Sequence, residues 1–218
     1  MGSLQFLART EWARARRPRA DIDPRIPEER HRRSTLENSV VSVGLFFAAA
    51  FLLDGRFVLD VRHGVPLTLL EVVLVLGLYD FGYYLLHRFV FHGWLVGRRW
   101  HAVHHRVRTT YARDSLYIHP AETALGVLLM LGCVAAVGVG LGGVSVVGFG
   151  VAFGIYSIWN VVIHSGLRLD VREIRWITHM IGAHDAHHEA MKGGNSSSIS
   201  PVFDVLFRTA VKPGYERS

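Results

Sequence analysis

The sequence predicts an all-α integral membrane protein, with a bundle of four transmembrane helices and a helical cap on the cytoplasmic side. Half of its 218 residues are hydrophobic, and the stretch from Thr123 to Leu167 contains no Asp, Glu, Lys or Arg. The net charge is +6. Because the arginines lie between long apolar runs, this charge favours contact with an anionic membrane surface, and we expect no nucleic-acid partner.

Two apolar runs predict the first pair of spans. The run from Asn38 to Leu53 is uncharged and 16 residues long, which is short for a span but sufficient with its polar edges. The second, from about Pro66 to Leu86, contains Glu71 and Asp80. A carboxylate is costly in lipid, so Asp80 is expected to face the bundle interior or a metal site. Residues 1–35 form a basic N-terminal arm without the apolar core of a signal peptide.

The uncharged stretch predicts two further spans rather than one. A single helix over these 45 residues would be roughly 67 Å long, about twice the thickness of a bilayer core. The chain must therefore fold back, and the glycines between 138 and 143 supply the break. We predict helices over about 121–139 and 145–164.

The charge distribution predicts the orientation. Four spans place both termini on one side, together with the arginine-rich segments, so this side is predicted to be cytoplasmic. The two loops on the opposite side, 54–65 and 140–144, contain only two Lys or Arg residues, Arg56 and Arg62. Residues 170–191 are predicted to form a helix at the membrane surface, and the apolar residues between 203 and 207 to dock the chain end onto the bundle. The membrane domain is predicted over 36–212, with a tail at 213–218.

Four polar segments at the ends of the apolar runs contain nine of the thirteen histidines, and all fall on the predicted cytoplasmic face. Residues three or four apart share one helix face, which groups the histidines of each His-x2-His-His segment. His87 and His92 are five apart, so we expect the helix to end or distort between them. The segments are His87-x4-His92, His101-x2-His104-His105, Asn160-x3-His164 and His184-x2-His187-His188.

This pattern predicts a metal centre at the membrane surface. Imidazole suits iron, zinc and copper, and nine imidazoles are too many for one ion but enough for two. The single cysteine, Cys133, excludes a cysteine-based zinc or iron–sulfur site. Metal-bound histidines usually donate their second ring nitrogen to a carboxylate or carbonyl. Carboxylates available for this role, with surface salt bridges as the alternative, are Asp80, Glu122, Asp185 and Glu189.

The remaining four histidines are weaker candidates for metal ligands. His31, His63 and His179 are expected to be helix caps or solvated residues. His119, which begins His119-Pro120-Ala121-Glu122, is left open between a metal ligand, a residue supporting the ligands, and a helix start.

These motifs, in this order, resemble the membrane fatty acid hydroxylase / sterol desaturase superfamily over roughly residues 70–210. The resemblance also includes the closing segment from Asn195 to Thr209, where Phe203 and Arg208 replace the usual Trp and Gly. It implies a histidine-ligated di-iron centre, which uses O2 and two electrons to hydroxylate a lipid C–H bond. Zinc can replace iron in the isolated protein. The implied ligands are His87, His92, His101, His104, His105, His164, His184, His187 and His188.

The resemblance also implies partners and supporting residues. Asn160 stands where relatives have a further histidine, so it is expected to bind metal through water or not at all. Asp80, Asp185 and His119 are expected near the ligands. The lipid substrate is expected to enter from the bilayer. Because no haem domain of the cytochrome b5 type is fused here, electrons are expected from a separate ferredoxin, rubredoxin or cytochrome b5 type donor.

Other functions fit part of the pattern. A desaturase, or an oxidase acting on a sterol or carotenoid ring, would have the same ligands, because substrate placement decides the outcome. A membrane metal-binding or transport protein is the alternative of another class. A transporter should carry its ligands near the middle of the membrane, whereas these histidines lie at helix ends on one side.

Overall fold

The protein consists almost entirely of helices. The structure is a computed structural model and describes residues 10–16, 26–53, 58–59, 63–169, 172–190 and 194–212. About half of the predicted N-terminal arm and all of the tail at 213–218 therefore lie outside the described residues. The α-helices are α1 (Glu11–Ala15), α2 (Glu28–Leu53), α3 (Val65–Leu85), α4 (Leu95–His104), α5 (Pro120–Leu141), α6 (Val146–Ile163), α7 (Arg175–Ala190) and α8 (Val202–Leu206).

Shorter elements connect these helices. A π-helix, Leu86–Phe91, continues α3, and 3-10 turns cover Ala112–Leu116 and Arg172–Ile174. Two short strands, β1 (Val58–Leu59) and β2 (Val144–Ser145), pair in parallel, Val58 with Val144 and Leu59 with Ser145. The all-α prediction omitted this pairing. It joins the connection before α3 to the connection between α5 and α6, so both lie at one end of the bundle.

Three helices are long and apolar enough to cross a membrane: Val65–Phe91, Pro120–Leu141 and Val146–Ile163. The last two agree with the predicted spans within about three residues at each end. The apolar run from Asn38 lies in α2, which begins at Glu28. The predicted domain boundary at residue 36 thus falls inside one helix. A fourth span over this run stays a prediction.

The core lies between α3, α5 and α6. Val75 and Tyr79 of α3 pack against Met130 and Val134 of α5, and Ala152 of α6 closes the cluster. Outward-facing residues such as Val73 and Ile158 are exposed and apolar, as expected of surfaces that face lipid rather than water. The core thus fixes three helices that carry histidines at or beyond their ends.

The turn between α5 and α6 matches the predicted glycine break. α5 is capped by Gly142, whose φ of 76° is left-handed, and the Gly143 N–H donates to the Gly138 carbonyl at 2.7 Å. This six-residue closure satisfies a carbonyl that the helix end leaves free, and glycine adopts it without a Cβ clash. The Ser145 hydroxyl then caps α6 by accepting from the Gly148 N–H. The reversal places Pro120 and Ile163 at the same end of the bundle.

The chain end docks through aromatic rings. Phe203 packs against Phe81 and Tyr84, and Phe207 stacks on Tyr84 with ring centroids 5.2 Å apart. The prediction that Val205 and Leu206 also dock was wrong, because both side chains are more than 60% exposed. The two phenylalanines lie on the face of α8 that contacts α3, whereas Val205 and Leu206 point away.

Candidate metal centre

A local change of helix type positions the first two histidines. Residues Leu86–Phe91 form a π-helix, and the His92 N–H donates to the His87 carbonyl at 3.0 Å. This bond spans five residues, so the wider turn brings positions i and i+5 towards one face. The predicted distortion between His87 and His92 is confirmed, and its form explains the five-residue spacing. Their ring centroids lie 5.0 Å apart.

The structure brings all nine predicted ligands together, in two adjacent groups. Within each group, one ring nitrogen per histidine lies within 4.8 Å of every other. The groups adjoin through His105 and His188, whose ring centroids are 4.9 Å apart. Five histidines form the first group, His87, His92, His101, His105 and His187, and four form the second, His104, His164, His184 and His188.

Outward hydrogen bonds orient six of these rings. In each, the Nδ1 atom faces an acceptor outside the groups, which is the arrangement expected around a metal-binding histidine. Five acceptors are backbone carbonyls and one is a carboxylate. The Nδ1 partners are Ser196 O for His87 (2.9 Å), Glu122 Oε1 for His101 (2.9 Å), Tyr117 O for His104 (3.3 Å), Asn160 O for His164 (2.6 Å), Gly194 O for His187 (2.7 Å) and Val107 O for His188 (2.7 Å).

These bonds leave lone pairs facing one another. A carbonyl only accepts, so His104 and His164 each carry their proton on Nδ1, and their Nε2 atoms are both acceptors. These two Nε2 atoms nevertheless lie 3.2 Å apart. In the first group, the Nε2 atoms of His87 and His101 are 3.0 Å apart. Two acceptors cannot bond to each other, but both can bind one cation between them.

The spacing fits a transition-metal ion. Two nitrogens that each bind the same ion at about 2.1 Å, at right angles, are about 3.0 Å apart. Neighbouring Nε2 atoms in both groups lie 2.9–3.2 Å apart. An all-imidazole donor set suits iron, zinc or copper better than magnesium or calcium. The residues present therefore fit two such ions, one in each group.

Burial keeps the imidazoles in the form that binds metal. It lowers the pKa of His92, His105 and His164 to about 4 and that of His187 to about 3, because the charged ring loses its hydration. The pKa values of His104 and His188 are also lowered by burial and by neighbouring histidines. At neutral pH these rings are uncharged, with a lone pair available to a cation.

Two other predicted site residues, Asp80 and Asp185, accept hydrogen bonds from segments beside the histidine groups. Asp80 accepts bonds from the backbone of Ser198, Ile199 and Ser200, and so fixes the loop that follows Ser196 rather than a histidine ring. Asp185 accepts from the N–H and hydroxyl of Thr110. Both carboxylates thus hold segments beside the site.

His119 and Asn160 also take supporting positions. The Nδ1 of His119 accepts from the Ala121 N–H, so this residue is the start of α5 and belongs to neither group. Of the three roles left open for His119, the structure assigns the helix start. Asn160 supplies its backbone carbonyl to His164, while its side chain lines a cavity beside the second group.

Sequence reasoning missed most of the groups that orient the rings. Glu122 was one of four candidate carboxylates, and it contacts His101. Backbone carbonyls have no sequence signal. Asp204 was also missed: it accepts from the N–H groups of Ser196 and Ser197, which fixes the carbonyl that faces His87.

Two histidines outside the groups are paired with acids. His31 is buried and its Nε2 lies 3.1 Å from Asp114, and His63 contacts Glu71 at the opposite end of the bundle. The expectation that they are caps or solvated was wrong. The pairing of His31 with Asp114 joins distant parts of the chain, which local spacing does not reveal, whereas His63 and Glu71 are only eight positions apart.

Comparison with known proteins agrees with this geometry. The model of the family described as fatty acid hydroxylase matches residues 72–209, which include all nine histidines. The chain belongs to the fatty acid hydroxylase family. Membership indicates an oxidoreductase rather than a metal transporter. With its three apolar helices, it also indicates an integral membrane protein.

A curated relative supports the assignment. A protein of Dictyostelium discoideum named as a methylsterol monooxygenase is 30% identical over 156 residues, which is 70% of this chain and 55% of that protein. The chain thus spans about half the length of this relative. No solved structure matches the chain.

Proposed function

We propose that this fatty acid hydroxylase family member is an O2-dependent di-iron membrane oxidoreductase that hydroxylates a lipid C–H bond. The observation that carries the proposal is the convergence of Nε2 lone pairs into two groups while Nδ1 atoms are held by outer acceptors. A structural histidine cluster would not need mutually facing acceptors. The family membership and the name of the relative support oxidation of a lipid.

The proposed topology places the site at one membrane face. Helices of 18 and 22 residues are about 27 and 33 Å long, close to the thickness of a bilayer core. The pairing of Val58 with Val144 ties both short connections to the end of the bundle opposite the histidines. With the apolar part of α2 as a fourth span, the site and both termini lie on the arginine-rich side, which we infer to be cytoplasmic.

A cavity of about 290 Å³ supplies a place for substrate. It borders both groups through His87 and His101 on one side and His104 and His164 on the other. Its walls towards the membrane include Val127 and Phe153. A lipid chain entering between the helices would place one carbon beside both groups.

The residues of the protein contribute to the proposed reaction in three ways. The carbonyls and Glu122 hold the rings in the tautomer that binds metal, and burial keeps the rings neutral. The apolar wall of the cavity orients the lipid and excludes water, which limits side reactions. When bound, the iron pair would supply O2 activation, with electrons from a separate protein of the ferredoxin, rubredoxin or cytochrome b5 type.

Product analysis tests the proposal. Expression in a lipid-rich host should yield a lipid with one added oxygen, detected by mass spectrometry, and a His104→Ala variant should yield none. A product lacking two hydrogens would identify a desaturase instead. An unchanged lipid profile in cells that supply iron and electron donors would refute an oxidative function.

A further inference from the structure

Some residues that line the cavity beside the two histidine groups have polar side-chain atoms without a hydrogen-bond partner among the described residues. Among the buried side-chain atoms that have no hydrogen-bond partner within the described residues, three belong to residues of this cavity: Glu122 Oε2, Ser197 Oγ and Ser198 Oγ. All three residues line the cavity, and Glu122 and Ser197 are over nine-tenths buried. Buried polar atoms in folded proteins nearly always have a partner. Three unpaired atoms around one cavity therefore point to a bound polar group.

These atoms are held in place by bonds made elsewhere in the same residues. The Ser197 N–H donates to Asp204 at 2.7 Å, and the Ser198 N–H donates to Asp80 at 3.3 Å. The Ser198 carbonyl accepts from Trp159. On the other wall, Glu122 Oε1 faces the His101 ring and leaves Oε2 free. The backbone is thus fixed while the two hydroxyls and one carboxylate oxygen have no partner among the described residues.

The chemistry of the three atoms selects the ligand. A carboxylate oxygen accepts a hydrogen bond, whereas a serine hydroxyl donates or accepts. A neutral hydroxyl complements this set, because it can donate to Glu122 and accept from a serine. No described Lys or Arg lines the cavity, so a carboxylate head group would have no oppositely charged side chain there, and a plain hydrocarbon would leave all three atoms unpaired.

We propose that Glu122, Ser197 and Ser198 form a polar subsite that binds a hydroxyl group of the lipid substrate. This subsite rests on the proposed function, because it requires a lipid in the cavity. The substrate is then a hydroxylated lipid rather than a plain hydrocarbon chain or a free fatty acid. Because His101 contacts Glu122 and lines the same cavity, the carbon that reacts lies within a few bonds of this hydroxyl.

Binding of three probes with equal chain length tests this subsite: 1-octadecanol, octadecane and stearate. Each is competed against tritiated 1-octadecanol on the full chain in detergent at pH 8. We expect 1-octadecanol to bind about tenfold more tightly than octadecane, and stearate no better than octadecane. A Ser197→Ala/Ser198→Ala double variant keeps the backbone bonds of the loop, and should reduce the preference for the alcohol to less than about threefold.

The control is Ser115→Ala, which also removes a hydroxyl from the cavity wall. The Ser115 hydroxyl already donates to the Ala112 carbonyl, so this variant should keep the alcohol preference. Equal binding of octadecane and 1-octadecanol, or an alcohol preference that survives the double substitution, overturns the proposal and assigns the polar atoms to water. Iron content is measured on the same samples. Loss of iron binding with the preference intact would refute the proposed function but not the subsite.

Discussion

The Nδ1 atom of His101 lies 2.9 Å from Oε1 of Glu122, and both side chains are buried. The pair links the start of α5 to the five-histidine group, because His101 belongs to that group. Glu122 places a side-chain oxygen against the ring of a histidine from this group. Its role is thus to orient a ring rather than to bind metal directly.

A Glu122→Gln substitution should weaken metal binding about 10–100-fold, because an amide orients the ring less strongly and makes it less basic. Competition with a chelator measures this affinity. The control is Glu37→Gln, which alters an exposed acid paired with Arg33 on α2 and should leave the affinity unchanged. Wild-type affinity in Glu122→Gln would show that the contact is incidental.

His104 and His119 form a matched pair of substitutions. His104→Ala removes one of four imidazoles from the second group and should reduce metal content from two ions to about one, with loss of substrate-dependent O2 consumption. His119→Ala should keep both ions and lower the free energy of unfolding by about 1 kcal/mol, since His119 caps α5 and belongs to neither group. Equal metal loss in both variants would argue against the assignment of the groups.

Acidification should destabilise the metal-free protein. The folded pKa values of His92, His105 and His164 are about 4, below the ordinary value of 6.5, so the unfolded chain takes up protons first as pH falls. The stability due to these neutral rings is full above pH 6.5 and is lost progressively as the pH falls towards 4. Thermal unfolding in detergent at several pH values measures this. A melting temperature independent of pH between 7 and 4.5 would refute the prediction.

Asp80 should matter for the site without contacting it. It accepts three backbone N–H bonds and the Ser200 hydroxyl, and thereby fixes the loop after Ser196. Asp80→Ala should lower the free energy of unfolding by about 2 kcal/mol and weaken metal binding indirectly. Hydrogen exchange should increase at residues 198–200. Unchanged exchange in this loop would exclude the proposed anchoring role.

Local spacing accounts for what the sequence predicted well. The glycines after Val137 predicted the reversal between α5 and α6, and the three-and-four spacing predicted that His101, His104 and His105 share a face. Both patterns act within one or two helical turns, where geometry follows from the backbone alone.

Contacts between distant segments could not be predicted from local spacing. The Val107 carbonyl meets His188 across 81 positions, and the His87 ring meets the Ser196 carbonyl across 109. No side-chain pattern marks a carbonyl acceptor. The pairing of His31 with Asp114 likewise depends on how α2 packs against the 3-10 turn at Ala112–Leu116. These relationships follow from tertiary packing.

The central claim is that the nine histidines hold a pair of metal ions, and metal content tests it most directly. The purified full-length chain is reconstituted anaerobically with ferrous iron, desalted, and measured by mass spectrometry of the metal against protein concentration. The account predicts two irons per chain, one for each histidine group. One iron or fewer per folded chain would contradict it.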